Sequence, residues 1–152
     1  MKLVRFRSDP GDTVWGGYMQ DGHAVPVLRS DGQGGLALLV DLAMSHISGN
    51  RLEPCADPVP LESVRLLAPV PAPPSVRDFY AFEQHVRTAR AQRGLDMEPD
   101  WYQLPIFYFT NPATIYGPGE EVPHPATDAL DYELEAAVVV GRDGSDLSPE
   151  QA

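Results

Sequence analysis

A chain of 152 residues with 43% apolar side chains can bury one core, and its 22 acidic against 11 basic residues give a net charge of −11. That balance argues against a nucleic acid partner, because binding to phosphates requires a basic face. The single cysteine, Cys55, excludes an intrachain disulfide. Neither an apolar leader nor a run of ~18 apolar residues is present, so we expect no membrane partner and a cytoplasmic location.

The first 64 residues are expected to form a small β-rich domain. Three short segments have the composition of strands: residues 2–6, 13–18 and 24–28. Gly16-Gly17 is expected to interrupt the second strand, and Asp21-Gly22 predicts a hairpin turn. Apolar residues then recur at helical spacing over residues 34–47, and Gly49 marks the end of that helix.

A proline-rich connector follows, with seven prolines between Glu53 and Ser75. The apolar residues 64–67 divide it and predict one strand there. We therefore place a domain boundary between residues 64 and 65, with residues 65–152 forming a second domain. Residues 78–93 contain neither proline nor glycine, so they predict a helix that the segment starting at Ser75 can cap.

Two further strands are predicted after that helix. Residues 106–109 are aromatic, and Asn111-Pro112 and Gly117-Pro118-Gly119 mark turns behind them. Residues 132–140 begin with alternating polar and apolar side chains and end as a continuous apolar run. That pattern is typical of a strand that leaves a polar pocket and enters a core.

The last predicted strand carries two carboxylates, Glu133 and Glu135, which are two residues apart and so project from the same face. Two adjacent anions repel each other unless a cation compensates them. A hard divalent ion such as Mg²⁺ or Ca²⁺ prefers oxygen ligands and would do so. The alternative interpretation is an edge strand with a solvent-facing acidic row.

A second pair, Asp78 and His85, is seven residues apart, which in a helix corresponds to two turns and nearly one face. Asp78 could then bind a metal while the imidazole of His85 faces a substrate. The alternative is that Asp78 caps the helix and His85 is a surface histidine.

Taken together, these motifs resemble the fumarylacetoacetate hydrolase family. Four motifs of this chain follow one another in the order and spacing of that family's motifs. They are Asp78-x-Tyr80-x4-His85, Tyr108 within an aromatic strand, Asn111-Pro112, and Asp131-x-Glu133-x-Glu135 before an apolar run. The resemblance covers roughly residues 65–152. It implies an α+β, mainly β fold: an incomplete mixed β-sandwich roll preceded by the small N-terminal β-rich domain.

The resemblance also implies roles for individual residues. Asp78, Glu133 and Glu135 fall on metal-ligand positions, with Mg²⁺ expected and Ca²⁺ or Mn²⁺ as alternatives. His85 falls on the general base that activates water, and Tyr80 and Tyr108 fall on positions that line the substrate pocket. None of the arginines that follow His85 aligns with a family anchor.

The implied reaction is metal-dependent hydrolysis of a carbon–carbon bond in a small anionic β-diketo acid, of the acylpyruvate or fumarylacetoacetate type. Decarboxylation and isomerisation remain open, and a homodimer is expected. In the family a further aspartate ligand lies in a later segment, so we expect a truncated chain or one that a partner completes. A catalytically inactive interaction module and a purely structural β-domain also remain open.

Overall fold

The computed structural model describes residues 1–8, 12–30 and 35–152. Those ranges contain seven strands and two α-helices, which confirms the mainly β prediction. The chain divides into two compact units: Met1–Pro71 together with Ile115–Ala152, and Ala72–Thr114. The predicted boundary after residue 64 and the sandwich roll stay predictions.

The first unit is built on an antiparallel sheet of five strands in the order β4-β3-β2-β1-β5. The strands are β1 (Lys2–Ser8), β2 (Val14–Gln20), β3 (His23–Ser30), β4 (Val59–Pro60) and β5 (Val64–Leu67). The three predicted N-terminal strands and the strand inside the proline-rich connector are thereby confirmed.

The hairpin between β2 and β3 turns at Asp21-Gly22, as predicted. Both residues have positive φ, 48° and 76°, which is the backbone of the type I′ turn that suits a twisted hairpin. Gly16 and Gly17, in contrast, do not interrupt a strand: both lie inside β2, and the register with β3 shifts between them. That prediction was wrong because glycine in a strand also marks a bulge or a close backbone approach.

The predicted first helix is confirmed as α1 (Gly35–Ile47), while Gly34 lies outside the described residues. Gly49 ends it with φ 79°, and the N–H groups of Gly49 and Asn50 donate to the carbonyls of His46 and Ser45. These two bonds form a Schellman motif.

Leu39 and Leu42 of α1 share a buried cluster with Leu52, and the sheet residues Leu3, Tyr18 and Val27 pack against that cluster.

The second unit contains a two-stranded antiparallel sheet of β6 (Val76–Phe79) and β7 (Phe107–Thr110). Between the strands lie α2 (Glu83–Ala91) and a 3₁₀ helix, Pro99–Tyr102. The predicted helix over residues 78–93 therefore begins five residues too early. Val76 and Phe79 are good strand residues, and pairing with the aromatic β7 outweighs the absence of helix breakers.

The strand predicted over residues 132–140 is absent, and every residue of this segment is exposed, Leu134 to 94% and Val138 to 91%. A strand needs a hydrogen-bonded neighbour, and among the described strands none pairs with it. Sequence alternation alone could not supply that neighbour. No helix in the described ranges is long and apolar enough to cross a membrane.

Candidate active site

The β6–β7 hairpin places two of the predicted site residues side by side. Asp78 on β6 is directly opposite Tyr108 on β7, so their side chains project from the same face. Asp78 is half-buried and Tyr108 is 71% exposed. The expected helical relation between Asp78 and His85 is wrong, because Asp78 belongs to a strand and only His85 lies on the helix.

His85 lies in the first turn of α2, exposed to solvent, and its ring meets the ring of Tyr80 edge-on. The ring centroids are 5.8 Å apart at an interplanar angle of 89°. Tyr80 follows β6 directly, and its backbone is fixed on both sides: its N–H donates to the Ile106 carbonyl at 3.1 Å, and its carbonyl accepts from the Trp101 indole N–H at 2.8 Å. The second unit thus contains Asp78, Tyr80, His85 and Tyr108.

Beside His85, the Glu83 carboxylate joins α2 to the 3₁₀ helix. Its Oε1 accepts a hydrogen bond from the Arg87 guanidinium and another from the Tyr102 hydroxyl at 2.9 Å. The bond from Arg87, followed by that from Tyr102, lowers the pKa of Glu83, and the same carboxylate raises the pKa of Tyr102. Arg87 is therefore engaged by contacts within the second unit.

Sequence reasoning missed this contact set. The four-residue spacing of Glu83 and Arg87 is the usual spacing of a helical ion pair and could have been recognised. The involvement of Trp101 and Tyr102 could not have been recognised, since both come from a separate element, the 3₁₀ helix, which is far from His85 in sequence. Another arginine after His85, Arg90, is also engaged, donating to the Asp96 carbonyl and lying 3.9 Å from Glu98.

The lowered pKa of Glu83 predicts that the second unit loses stability in acid. A carboxyl group whose folded pKa is below its unfolded value of ~4.3 stabilises the fold fully above that value, and this contribution disappears as the pH falls through the folded pKa. Glu83→Gln should therefore show a smaller drop in unfolding midpoint between about pH 6 and pH 3 than the parent chain.

Fluorescence of Trp101 in a Trp15→Phe background would follow the second unit alone, since the chain has two tryptophans. Glu62→Gln, at an exposed glutamate of the first unit, is the matched control and should keep the parent's acid sensitivity. Equal acid sensitivity in Glu83→Gln and the parent would contradict the prediction.

The remaining two predicted site residues, Glu133 and Glu135, belong to the first unit and are exposed in the segment without strand or helix. Within the described ranges, no three His, Cys, Asp or Glu side chains come together as a group that could hold a metal ion. Asp78 lies in the second unit and the two glutamates lie in the first, and the metal-ligand assignments of all three stay predictions.

Comparison with known proteins adds two findings. Residues 75–152 match the sequence model of the family described as "Fumarylacetoacetate (FAA) hydrolase C-terminal". Oxaloacetate tautomerase YisK of Bacillus subtilis (strain 168) is 33% identical over 94 residues, which cover 60% of this chain and 30% of that relative. The match thus spans less than a third of the curated relative's length. No solved structure matches the chain.

Proposed function

The chain belongs to the fumarylacetoacetate hydrolase family, and on that premise we propose that it acts on a small anionic 2-oxo acid that can form an enol. The proposal rests on the placement of His85: its imidazole is exposed in the first turn of α2 and packs against the ring of Tyr80. Imidazole is the side chain best suited to accept and return a proton near neutral pH. Tyr80 and Tyr108 are the proposed substrate contacts.

Keto–enol tautomerisation is the reaction that the similarity to an oxaloacetate tautomerase favours. In it, a proton leaves the carbon beside the ketone, the electron pair of that C–H bond forms a carbon–carbon double bond, and the carbonyl oxygen takes a proton. The reverse sequence returns the ketone. His85 would take the proton from carbon in this direction and return it to carbon in the reverse direction. The reaction needs no water and breaks no carbon–carbon bond.

Hydrolysis of a β-diketo acid is the second candidate, and the family as a whole supports it. Here His85 would take a proton from water as the water oxygen attacks a ketone carbon. The carbon–carbon bond then breaks, one fragment leaves as a carboxylate, and the other leaves as an enolate that takes a proton on carbon. Tautomerisation, hydrolysis and the related decarboxylation share an enol or enolate, so the same base serves each of them.

A divalent metal, generally used by enzymes of this family, is part of the proposal, with Mg²⁺ first and Ca²⁺ or Mn²⁺ as alternatives. Asp78, Glu133 and Glu135 are the proposed ligands, since carboxylate oxygens suit hard cations. When bound, such an ion would supply positive charge to the oxygens of the substrate. Because the described residues do not bring three such ligands together, no reaction step is assigned to the ion.

Calorimetric titration with Mg²⁺ or Mn²⁺ should give saturable binding that Asp78→Asn weakens at least about tenfold, because losing one anionic ligand of a hard cation costs affinity. Asp41→Asn, at an exposed aspartate of α1, is the matched control and should bind like the parent. Identical titrations for the two variants would remove Asp78 from the ligand set.

The activity test follows two substrates with the same preparation. Enolic oxaloacetate should lose its ultraviolet absorbance at a rate proportional to chain concentration if the chain is a tautomerase. An acylpyruvate should release pyruvate if it is a hydrolase. A folded chain that does neither, with or without added metal, would overturn both proposals and favour an interaction module.

Two expectations from the sequence also continue as proposals. A homodimer is one, and light scattering would test it. The division into residues 1–64 and 65–152 is the other, and limited proteolysis would test it by cleavage near residue 64.

A further inference from the structure

The last two residues of the 3₁₀ helix, Trp101 and Tyr102, donate hydrogen bonds at the two ends of the short segment that leads to His85. On one side, Trp101 donates its indole N–H to the Tyr80 carbonyl at 2.8 Å. On the other, Tyr102 donates its hydroxyl to Glu83, the first residue of α2, at 2.9 Å. The two aromatic rings also pack edge-on against each other, 5.0 Å apart. Residues 80–82 are thus fixed at both ends from one element.

α2 needs such support because its own start is weak. The helix has nine residues, which is too short to be stable without tertiary contacts. Its N-cap residue, Phe82, offers no side-chain hydrogen bond to the free N–H groups of the first turn within the described residues. Since His85 lies in that first turn, the position of its imidazole depends on what holds the segment before it.

We propose that Trp101 is a positioning residue for His85, acting through the Tyr80 carbonyl and the Tyr80 ring. This inference rests on the proposed role of His85 and names a residue that acts on it from 16 positions away in sequence. The Tyr80 backbone keeps one hydrogen bond, to Ile106, when the indole donor is removed. Its ring, which meets the His85 ring at 5.8 Å, is then less firmly placed.

Trp101→Phe is the test variant, because it removes the N–H donor while keeping an aromatic ring beside Tyr102. It should lower kcat at least about 5-fold, the equivalent of one hydrogen bond, and change KM less than kcat, because Tyr108, the other proposed substrate contact, stays in place. Trp15→Phe, at a half-buried tryptophan of β2, is the matched control and should leave both constants unchanged.

A readout independent of activity separates this inference from the proposed function. Because the ring centroids of Tyr80 and His85 are 5.8 Å apart, we expect a ring-current shift on the ring proton and carbon resonances of His85. In Trp101→Phe these resonances should move toward their values in a Tyr80→Ala variant. Trp15→Phe should keep them in place. Tyr102→Phe, which removes the hydroxyl bond to Glu83, should move them in the same direction by a smaller amount.

Unmoved His85 resonances in a folded Trp101→Phe variant would overturn the inference, whatever the activity. Moved resonances together with an unchanged kcat in an active parent would overturn it as well. Should the parent chain prove inactive on both substrates, the proposed function fails, and the resonances alone decide whether Trp101 positions the ring.

Discussion

His85→Gln is expected to lower kcat on enolic oxaloacetate by roughly 10²–10⁴-fold, the range for removing a general acid–base group, because in this direction His85 would deliver the proton to carbon. Glutamine can still donate and accept hydrogen bonds, but it cannot carry a proton to or from carbon near neutral pH. The loss corresponds to about 3–5 kcal/mol of barrier height, at ~1.4 kcal/mol for each tenfold change. KM should change far less, because Tyr80 and Tyr108 remain to contact the substrate. Steady-state rates at several substrate concentrations would separate the two constants.

Two other exposed histidines provide controls for that variant. His46 lies in the last turn of α1, and the His124 ring bonds the Pro125 carbonyl, so neither belongs to the proposed site. His46→Gln and His124→Gln should keep the parent's rate. A His85→Gln enzyme as active as the parent would exclude His85 as the group that transfers the proton, and a comparable loss in either control would point to general damage rather than to a lost proton-transfer group.

Local sequence signals were sufficient to predict the structure where one or two residues determine the backbone conformation. Asp21-Gly22 predicts its turn because both residues must adopt positive φ, and the structure has them at 48° and 76°. Gly49 predicts the end of α1 for a similar reason, since a left-handed residue closes the Schellman motif. The strand over residues 64–67 stands out because prolines flank it on both sides.

The sequence was insufficient to predict the secondary structure where pairing with a segment distant in the chain determines it. Residues 76–79 join a sheet because β7 pairs with them, and no local rule identifies a partner about thirty residues away along the chain. Residues 132–140 have the pattern of a strand, but none of the described strands pairs with them, so the segment does not form one. The contact between the rings of Tyr80 and His85 lies between these cases, because it depends on the turn that separates β6 from α2.

The neighbouring strand also explains why the prediction for Gly17 was wrong, and it predicts how replacing this glycine should change stability. A Cβ at Gly17 would lie 1.9 Å from the Val25 carbonyl oxygen, in the backbone of the neighbouring strand. Backbone cannot rotate away as a side chain can, so the β2–β3 hairpin would have to separate locally. We expect Gly17→Ala to lower the free energy of unfolding by about 3 kcal/mol or more, the upper range for overpacking a filled site.

Two other glycines, Gly16 and Gly141, provide a graded comparison. A Cβ at Gly16 would meet the Leu38 side chain at 2.6 Å, and one at Gly141 would meet only the Met44 sulfur at 3.4 Å. Side chains can shift where backbone cannot, so Gly16→Ala should cost less than Gly17→Ala, and Gly141→Ala should change stability by less than about 0.5 kcal/mol. Urea unfolding followed by circular dichroism measures all three. A Gly17→Ala chain as stable as the Gly141→Ala chain would mean that the hairpin tolerates a side chain at its bulge, and the close approach to Val25 would then not be what requires glycine there.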